Sequence, residues 1–402
     1  MAIKRVRVNQ LKPGMYIHDL NCGWLQHGFL RPKFLIKHDD QIQKMRAQGL
    51  DELYIDTAQG DDVAGAPTQA EIEQGLKQKL KESAATGAAL APAKISQQEE
   101  SEAAKRILGE AAGVVDGLLH DVRLGKQLDP AKARPLVKAM HASVLRNSGA
   151  LISLSRIKAA DTYTFQHSVS ICALLVSFAH ALGMDGATVE EAGLGGLLHD
   201  VGKMKIPNEI LNKPGKLTDA EFGIMKSHAA LSRDLLLGVP GISKMVIQIA
   251  GEHHEKISGG GYPLGITGDQ ISQIGRMTAI VDVYDALTSN RVYHTGMEPT
   301  AVLKKLLEWS GTHLDGNLVQ QYIRALGIYP VGSLVRLSGG RLAVVVEQGE
   351  DLLRPTVRVV FDTAHKLRLP PRDLHLAHAS EEIVDFEDPL EWGLDPMVFL
   401  VA

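Results

Sequence analysis

The spacing of apolar residues changes along the chain, and each change marks a different kind of structure. Over residues 1 to about 60 the pattern is mixed. Val6, Val8 and Leu11 alternate as a strand would, and Lys12-Pro13-Gly14 signals a turn. A short helix is expected from Asp39 or Asp40 to Gln48, with Gly49 as its stop, and Leu53-Tyr54-Ile55 reads as a second strand. Thr57 to Pro67 shifts to Gly, Ala, Asp and Pro, the composition of a linker. A helical connector follows. Ala84 to Lys94 consists mostly of small residues, Ser96 to Leu124 carries an amphipathic helical period, and Asp129-Pro130 supplies an N-cap and a first-turn proline.

From about 150 to 328 the period is helical throughout, with no convincing strand. Asp161 is placed to cap a long helix reaching Leu182. Thr188 with Glu191 and Thr218 with Glu221 form capping-box patterns for the next two, and further helices are expected near 241–253, 270–289, 299–309 and 316–326. After Tyr329-Pro330 the period becomes that of strands at Leu334–Leu337, Leu342–Val346 and Thr356–Val360, with Gly339-Gly340 as a hairpin turn. The chain is therefore expected to be mainly α: a small α+β domain at 1–60, a linker and connector at 61–149, an all-helical domain at 150–328 and a small β-rich module at 329–402.

Composition narrows the function classes. A formal net charge of −4 provides no global basic field for a nucleic-acid polymer, so an anionic ligand must be held by local Arg and Lys. Two cysteines, Cys22 and Cys172, make no disulfide framework and fit a reducing cytosol. The N-terminus lacks an apolar signal segment, and Ile171 to Leu182 is too short to span a bilayer. A cytoplasmic protein is expected.

The chemistry centres on Gly196-Leu197-Leu198-His199-Asp200-Val201-Gly202-Lys203. An adjacent histidine and aspartate at the end of an apolar helix cannot be buried cheaply, and a divalent metal resolves the difficulty. The dipeptide alone says little, because Gly117 to Val122 repeats the same six residues, followed by Arg123 and Leu124 instead of Gly202 and Lys203. That copy is read as a solvated helix face. The second copy is accompanied by His167, His228, His253-His254 and Asp282 on separate predicted helices, as a bundle-interior site requires. Seven N and O ligands exceed the need of one four-coordinate ion. They suit two ions sharing a bridge, for which the two oxygens of Asp200 are the natural choice. His375 and His378 have ligand-like spacing in an extended segment, where residues three apart face opposite ways.

In order and spacing, His167, His199-Asp200 with Gly202-Lys203, His228, His253-His254-Glu255, Gly259-Gly260-Gly261-Tyr262-Pro263 and Asp282-Val283-Tyr284-Asp285-Ala286-Leu287-Thr288-Ser289 resemble the HD-GYP pattern. HD-GYP proteins are bacterial HD-superfamily phosphodiesterases of cyclic di-GMP. The match spans about residues 155 to 325, and the start around Lys12-Pro13-Gly14-Met15-Tyr16 resembles the uncharacterised domain often fused ahead of it. The resemblance implies an all-helical HD-superfamily catalytic domain that hydrolyses cyclic di-GMP to pGpG through a metal-bridging hydroxide, with further cleavage to GMP left open. One ion would take His167, His199, Asp200 and Asp282, and the other Asp200, His228, His253 and His254. Iron or manganese is favoured, with nickel or zinc as alternatives. Asp200 and Lys203 are the implied catalytic residues. Lys203, Arg291, Gly261, Tyr262 and Pro263 would bind substrate, and the same loop would meet a signalling partner; a homodimer is compatible with the family.

Departures from the family pattern bear on this reading. Tyr163 stands where trinuclear members carry a glutamate, so two metals are expected rather than three. Ser258 precedes the glycines where an acidic or amide residue is usual, and His294 replaces a second cation. With the flanking domains, His294 also motivates an alternative, a cyclic di-GMP-binding module with little turnover. A phosphohydrolase for another cyclic dinucleotide is a further one.

Overall fold

A computed structural model of the chain describes residues 2–21, 33–85, 94–155, 163–289 and 296–400, with the side chains of Tyr163 and Thr164 set aside. Near the N-terminus, β1 (Ile3–Arg7), β2 (Tyr16–Asp19), β3 (Phe34–Leu35), helix α1 (Asp39–Ala47) and β4 (Glu52–Asp56) form an antiparallel sheet in the order β1-β4-β2-β3. Its inner face buries Val6, Ile17, Leu53 and Ile55 against Ile42 and Met45 of α1. The expected alternation through Val8 is corrected: β1 ends at Arg7, and Val8–Gln10 is a 3₁₀ turn. Val8 is buried by that turn, which produces the same apolar spacing as a strand.

Three long helices follow, α2 (Gln69–Ala85), α3 (Gln97–Arg123) and α4 (Arg134–Ser155). Ser96 and Glu99 close a capping box on α3. Asp129 caps a 3₁₀ turn at Pro130–Lys132, one step before α4. Helix α4 is interrupted at Asn147, whose backbone is extended and whose Oδ1 accepts from the N–H groups of Gly149 and Ala150. His120 is exposed on α3, and Asp121 pairs with Lys126 and Lys132 at 3.0 and 3.1 Å. The first His-Asp copy is thus a solvated helix face.

The helical domain continues with α5 (Tyr163–Ala181), α6 (Gly186–Leu198), a 3₁₀ turn at Val201–Lys205, α7 (Asn208–Leu211), α8 (Asp219–Leu237), α9 (Lys244–Glu252), α10 (Gln273–Thr288), α11 (Pro299–Glu308) and α12 (Gly316–Leu326). Helix α5 is apolar on every side and packs against α4, α6 and α10, so it forms the centre of the core. The capping box expected at Thr188 and Glu191 is corrected. Asp185 is the N-cap of α6, accepting from the Thr188 N–H at 3.0 Å, because its carboxylate reaches the free amides first. The Thr218–Glu221 box stands. The cap expected from Asp161 lies outside the described residues. No helix among the described residues is long and apolar enough to cross a membrane.

Beyond α12, β5 (Leu334–Leu337), β6 (Arg341–Glu347), β7 (Thr356–Asp362), β8 (Leu367–His375) and β9 (Ile383–Phe386) form an antiparallel sheet in the order β8-β7-β6-β5-β9, followed by α13 (Pro389–Trp392). β8 carries Pro370 and Pro371, which an edge position tolerates.

The N-terminal sheet docks on α11 through polar groups. Tyr54 donates to Glu308 Oε1 at 2.5 Å, and Asn21 Nδ2 donates to the same oxygen at 3.0 Å. Lys305 donates to Asn21 Oδ1 at 2.7 Å, and the Trp309 indole donates to the Asn21 carbonyl at 3.1 Å.

Candidate metal centre

Each expected ligand is delivered by a helix or its end. His167 lies on α5, His228 on α8 and Asp282 on α10; His199 and Asp200 end α6, and His253 and His254 end α9. The helix backbone sets the ring orientations. His199 Nδ1 lies 2.8 Å from the Gly196 carbonyl, His228 Nδ1 2.7 Å from that of Met225, and His253 Nδ1 3.0 Å from that of Ala250. A carbonyl only accepts, so each Nδ1 carries the proton and each Nε2 turns a lone pair inward. His167 is held instead by a carboxylate, with Nδ1 2.8 Å from Asp285 Oδ2.

The candidate ligand atoms converge in two groups, His167–His199–Asp282 and His228–His253–His254, joined by a third, His199–Asp200–His253, that shares a residue with each. Asp200 Oδ2 is 3.2 Å from His199 Nε2 and 3.5 Å from His167 Nε2. Its Oδ1 is 3.2 Å from His228 Nε2 and 3.9 Å from His253 Nε2. One carboxylate thus faces both groups, one oxygen to each.

The donor set fits divalent metal. His199 Nε2 and Asp200 Oδ1 are buried and make no hydrogen bond. The Nε2 atoms of His228 and His254 approach to 3.1 Å, and those of His228 and His253 to 3.4 Å. Inward lone pairs at that separation repel unless a cation lies among them. Imidazole nitrogens and carboxylate oxygens in this density are ligands for first-row metals.

Protonation states suit the same role. Burial pushes His228 down to about 4 and His253 down to about 3, and with its histidine neighbours holds His254 well below its usual range. Burial would raise Asp200 and Asp282, but the neighbouring histidines, with Lys203 beside Asp200, hold both well below the carboxylate range. His167 is different. Burial works to lower it, yet hydrogen bonds to Asp200, Asp282 and Asp285 take it up to about 10. At neutral pH, then, metal loading is expected to expel a proton from His167, whereas His228, His253 and His254 have none to lose. Metal affinity accordingly climbs as pH rises toward 10. Calorimetric metal titration in buffers of different ionisation enthalpy measures that proton, and a buffer-independent heat would refute its release.

Lys203 donates to Asp200 Oδ2 from the 3₁₀ turn, with one face toward solvent. The Tyr262 ring lies against the His254 ring at 4.6 Å, and its N–H donates to the His254 carbonyl at 3.2 Å. Gly261 has no room for a side chain, since a Cβ there would lie 2.5 Å from the Glu255 Cα. Pro263 follows Tyr262 through a cis peptide. Arg276 pairs with Asp315 at 2.9 Å and touches no ligand. His375 and His378 join no metal-ligating group among the described residues. Arg291 and His294 lie outside the described residues, as does the side chain of Tyr163.

Two residues quoted in the motifs but given no role prove central. Asp285 orients His167, and its spacing of three from Asp282 on one helix face was the available signal. Glu255 is buried and accepts from the N–H groups of Leu264 at 2.6 Å and Gly265 at 3.1 Å, fastening the loop that carries Tyr262. Asp285→Asn is expected to keep the fold and weaken metal affinity about 10- to 100-fold, the usual cost of losing a carboxylate behind a ligating histidine. Competition against a chelator of known affinity would show it.

Two family models match the sequence: an HD domain over residues 150–318 and a domain of unknown function, DUF3391, over residues 3–133. Cyclic di-GMP phosphodiesterase PA4108 of Pseudomonas aeruginosa is 40% identical over 395 residues, 97% of this chain and 94% of that protein. 3'3'-cGAMP-specific phosphodiesterase 1 of Vibrio cholerae is 37% identical over 176 residues, 44% of this chain and 41% of that protein. The cyclic di-GMP phosphodiesterase response regulator RpfG of Xanthomonas campestris is 32% identical over 236 residues, 53% of this chain and 62% of that protein.

Proposed function

The chain belongs to the HD-GYP family of HD-domain proteins, and from that membership and the geometry of the centre we propose that it hydrolyses cyclic di-GMP to pGpG. The observation that carries the reading is the Asp200 carboxylate, with one oxygen toward His167 and His199 and the other toward His228 and His253. In this reading His167, His199, Asp282 and Asp200 hold one divalent ion, and His228, His253, His254 and Asp200 hold a second. Iron or manganese is the favoured metal. Two such ions, when bound, supply Lewis acidity toward a phosphodiester.

The protein's own groups do the rest. Backbone carbonyls and Asp285 fix the rings, so no reorientation is needed when substrate arrives. Lys203 keeps a cationic N–H donor at the bridging carboxylate, where a phosphoryl group would lie. Gly261, Tyr262 and Pro263 form the wall beside His254, and Glu255 keeps that wall in place. Arg291 is assigned to phosphate on its motif position. Catalysis is assigned to residues 150–328, with 1–60, 61–149 and 329–402 as flanking units, and to the cytoplasm, where this nucleotide signals.

Incubating metal-loaded protein with cyclic di-GMP and separating products by chromatography tests the reading; no turnover with iron, manganese, nickel or zinc overturns it. The Vibrio relatives named for 3'3'-cGAMP favour one second reading, a preference for that mixed dinucleotide. Both substrates at equal concentration decide between the two.

A further inference from the structure

The loop at residues 259–263, which carries Tyr262 beside His254, is held from two sides. Glu255 fastens one side through the N–H groups of Leu264 and Gly265. On the other side the Ile257 N–H donates to the His313 carbonyl at 3.2 Å, and the Ser258 N–H donates to the Thr312 carbonyl at 3.0 Å. Backbone bonds thus tie the entry of the loop to the turn between α11 and α12. That turn closes on Trp309. The Trp309 carbonyl accepts from the N–H groups of His313 at 3.0 Å and Leu314 at 3.1 Å, and from Thr312 Oγ1 at 3.2 Å.

The indole of the same residue is bonded to the N-terminal domain. Its Nε1–H lies 3.1 Å from the Asn21 carbonyl oxygen and 3.3 Å from Asn21 Oδ1, and the residue is buried. Trp309 therefore holds the N-terminal domain with its side chain and the 309–314 turn with its backbone. Two further approaches cross the same boundary. A Cβ on Gly49 would lie in van der Waals contact with the Gly260 carbonyl oxygen at 3.9 Å, so the chain after α1 runs beside the loop itself. His313 Nε2 stands 3.9 Å from Asp51 Oδ2. Burial, with Lys256 nearby, pushes His313 down to about 4, so at neutral pH this is a neutral ring packed beside a carboxylate and not an ion pair.

We propose that Trp309 is a positioning residue, through which the N-terminal domain sets the place of the Tyr262 loop and hence the hold on substrate. The proposal rests on the reading of that loop as a substrate wall. His167, His199, His228 and His253 are oriented by Asp285 and by their own helix carbonyls, so the linkage through Trp309 bears on the wall and leaves these ligands alone. A group that binds ground state and transition state alike changes KM and spares kcat. A signal received by the N-terminal domain therefore alters substrate affinity at constant turnover number.

The test uses the metal-loaded full chain and two variants. Trp309→Phe keeps a ring in place and removes the indole donor. Asn21→Gly removes the side chain that meets Trp309, Glu308 and Lys305, at a φ of 48° that glycine adopts without strain. It carries the test if the buried Trp309→Phe does not fold. Hydrogen exchange followed by mass spectrometry is expected to speed up about three- to tenfold in peptides covering residues 256–266, the scale of one hydrogen bond, and to stay unchanged in α5 and α6. KM for cyclic di-GMP should rise by a similar factor, with kcat and metal content within about twofold of wild type. Unchanged loop exchange in both variants, or acceleration spread evenly over α5 and α6 as a general loss of stability would give, overturns the coupling. Faster loop exchange with an unchanged KM removes Trp309 from substrate positioning. A wild type that leaves cyclic di-GMP intact sinks the hydrolase reading, while the exchange measurement still decides the coupling.

Discussion

Asp200→Asn is expected to cut cyclic di-GMP turnover sharply and, on the two-ion reading proposed above, to lower the metal content from two ions per chain to one or fewer. Asparagine keeps the shape of the side chain but removes its charge and turns one oxygen into a donor. Both histidine groups lose their shared acceptor, since the two Asp200 oxygens lie 3.2 Å from His199 Nε2 and His228 Nε2 respectively. The Lys203 ammonium loses its counter-charge in the same step. Turnover is expected to fall on the order of 10³-fold or more, the scale on which removal of a preorganised electrostatic group acts. Elemental analysis against protein concentration, alongside the chromatographic assay, measures both effects. Two ions retained with activity within tenfold of wild type would remove Asp200 from the bridging position.

Gly202→Ala is expected to destabilise the fold by about 3 kcal/mol and to disorganise the centre with it. The turn after Asp200 lies directly on the α8 backbone. A Cβ on residue 202 would stand 2.3 Å from the His228 carbonyl oxygen and 2.4 Å from the Ser232 nitrogen. The Gly202 N–H also donates to Ser232 Oγ at 2.8 Å, so the two elements are pinned face to face. Backbone cannot swing aside as a flexible side chain can, which places the cost at the upper end of overpacking, roughly 1–3 kcal/mol. Relief comes only by moving the turn off α8, and that separates Asp200 from His228. Denaturant unfolding and metal content should fall together; an unchanged midpoint with full metal would show that the contact yields.

That contact also explains what separates the two His-Asp copies. In the first, Arg123 stands where Gly202 stands in the second; α3 continues through His120 and Asp121 to Arg123, which is exposed. In the second the helix ends at Leu198, and the chain turns against α8. The sequence carried the candidate ligands because metal chemistry restricts residue type, and it carried the helical order because the apolar period is long and regular. It concealed contacts that only tertiary structure creates. Asp185 displaced Thr188 as the cap of α6. The exposed, proline-bearing strand β8 and the short β9 had no apolar alternation to announce them. The pairing of Asn21 and Tyr54 with Glu308 joins residues more than 250 positions apart, with no local pattern to signal it.

This last contact bears on how such chains recombine. The side chain of Glu308 is only 4% exposed, and two of the groups that satisfy it, Tyr54 of β4 and Asn21 just after β2, belong to the N-terminal domain. Exchange of that domain for another input unit would take two hydrogen bonds from this buried carboxylate and leave it only its ion pair with Lys305 at 3.2 Å. Residues 21, 54 and 308 therefore form a unit of inheritance: a lineage that replaces the N-terminal domain must also change Glu308, or import a domain that brings donors to the same place.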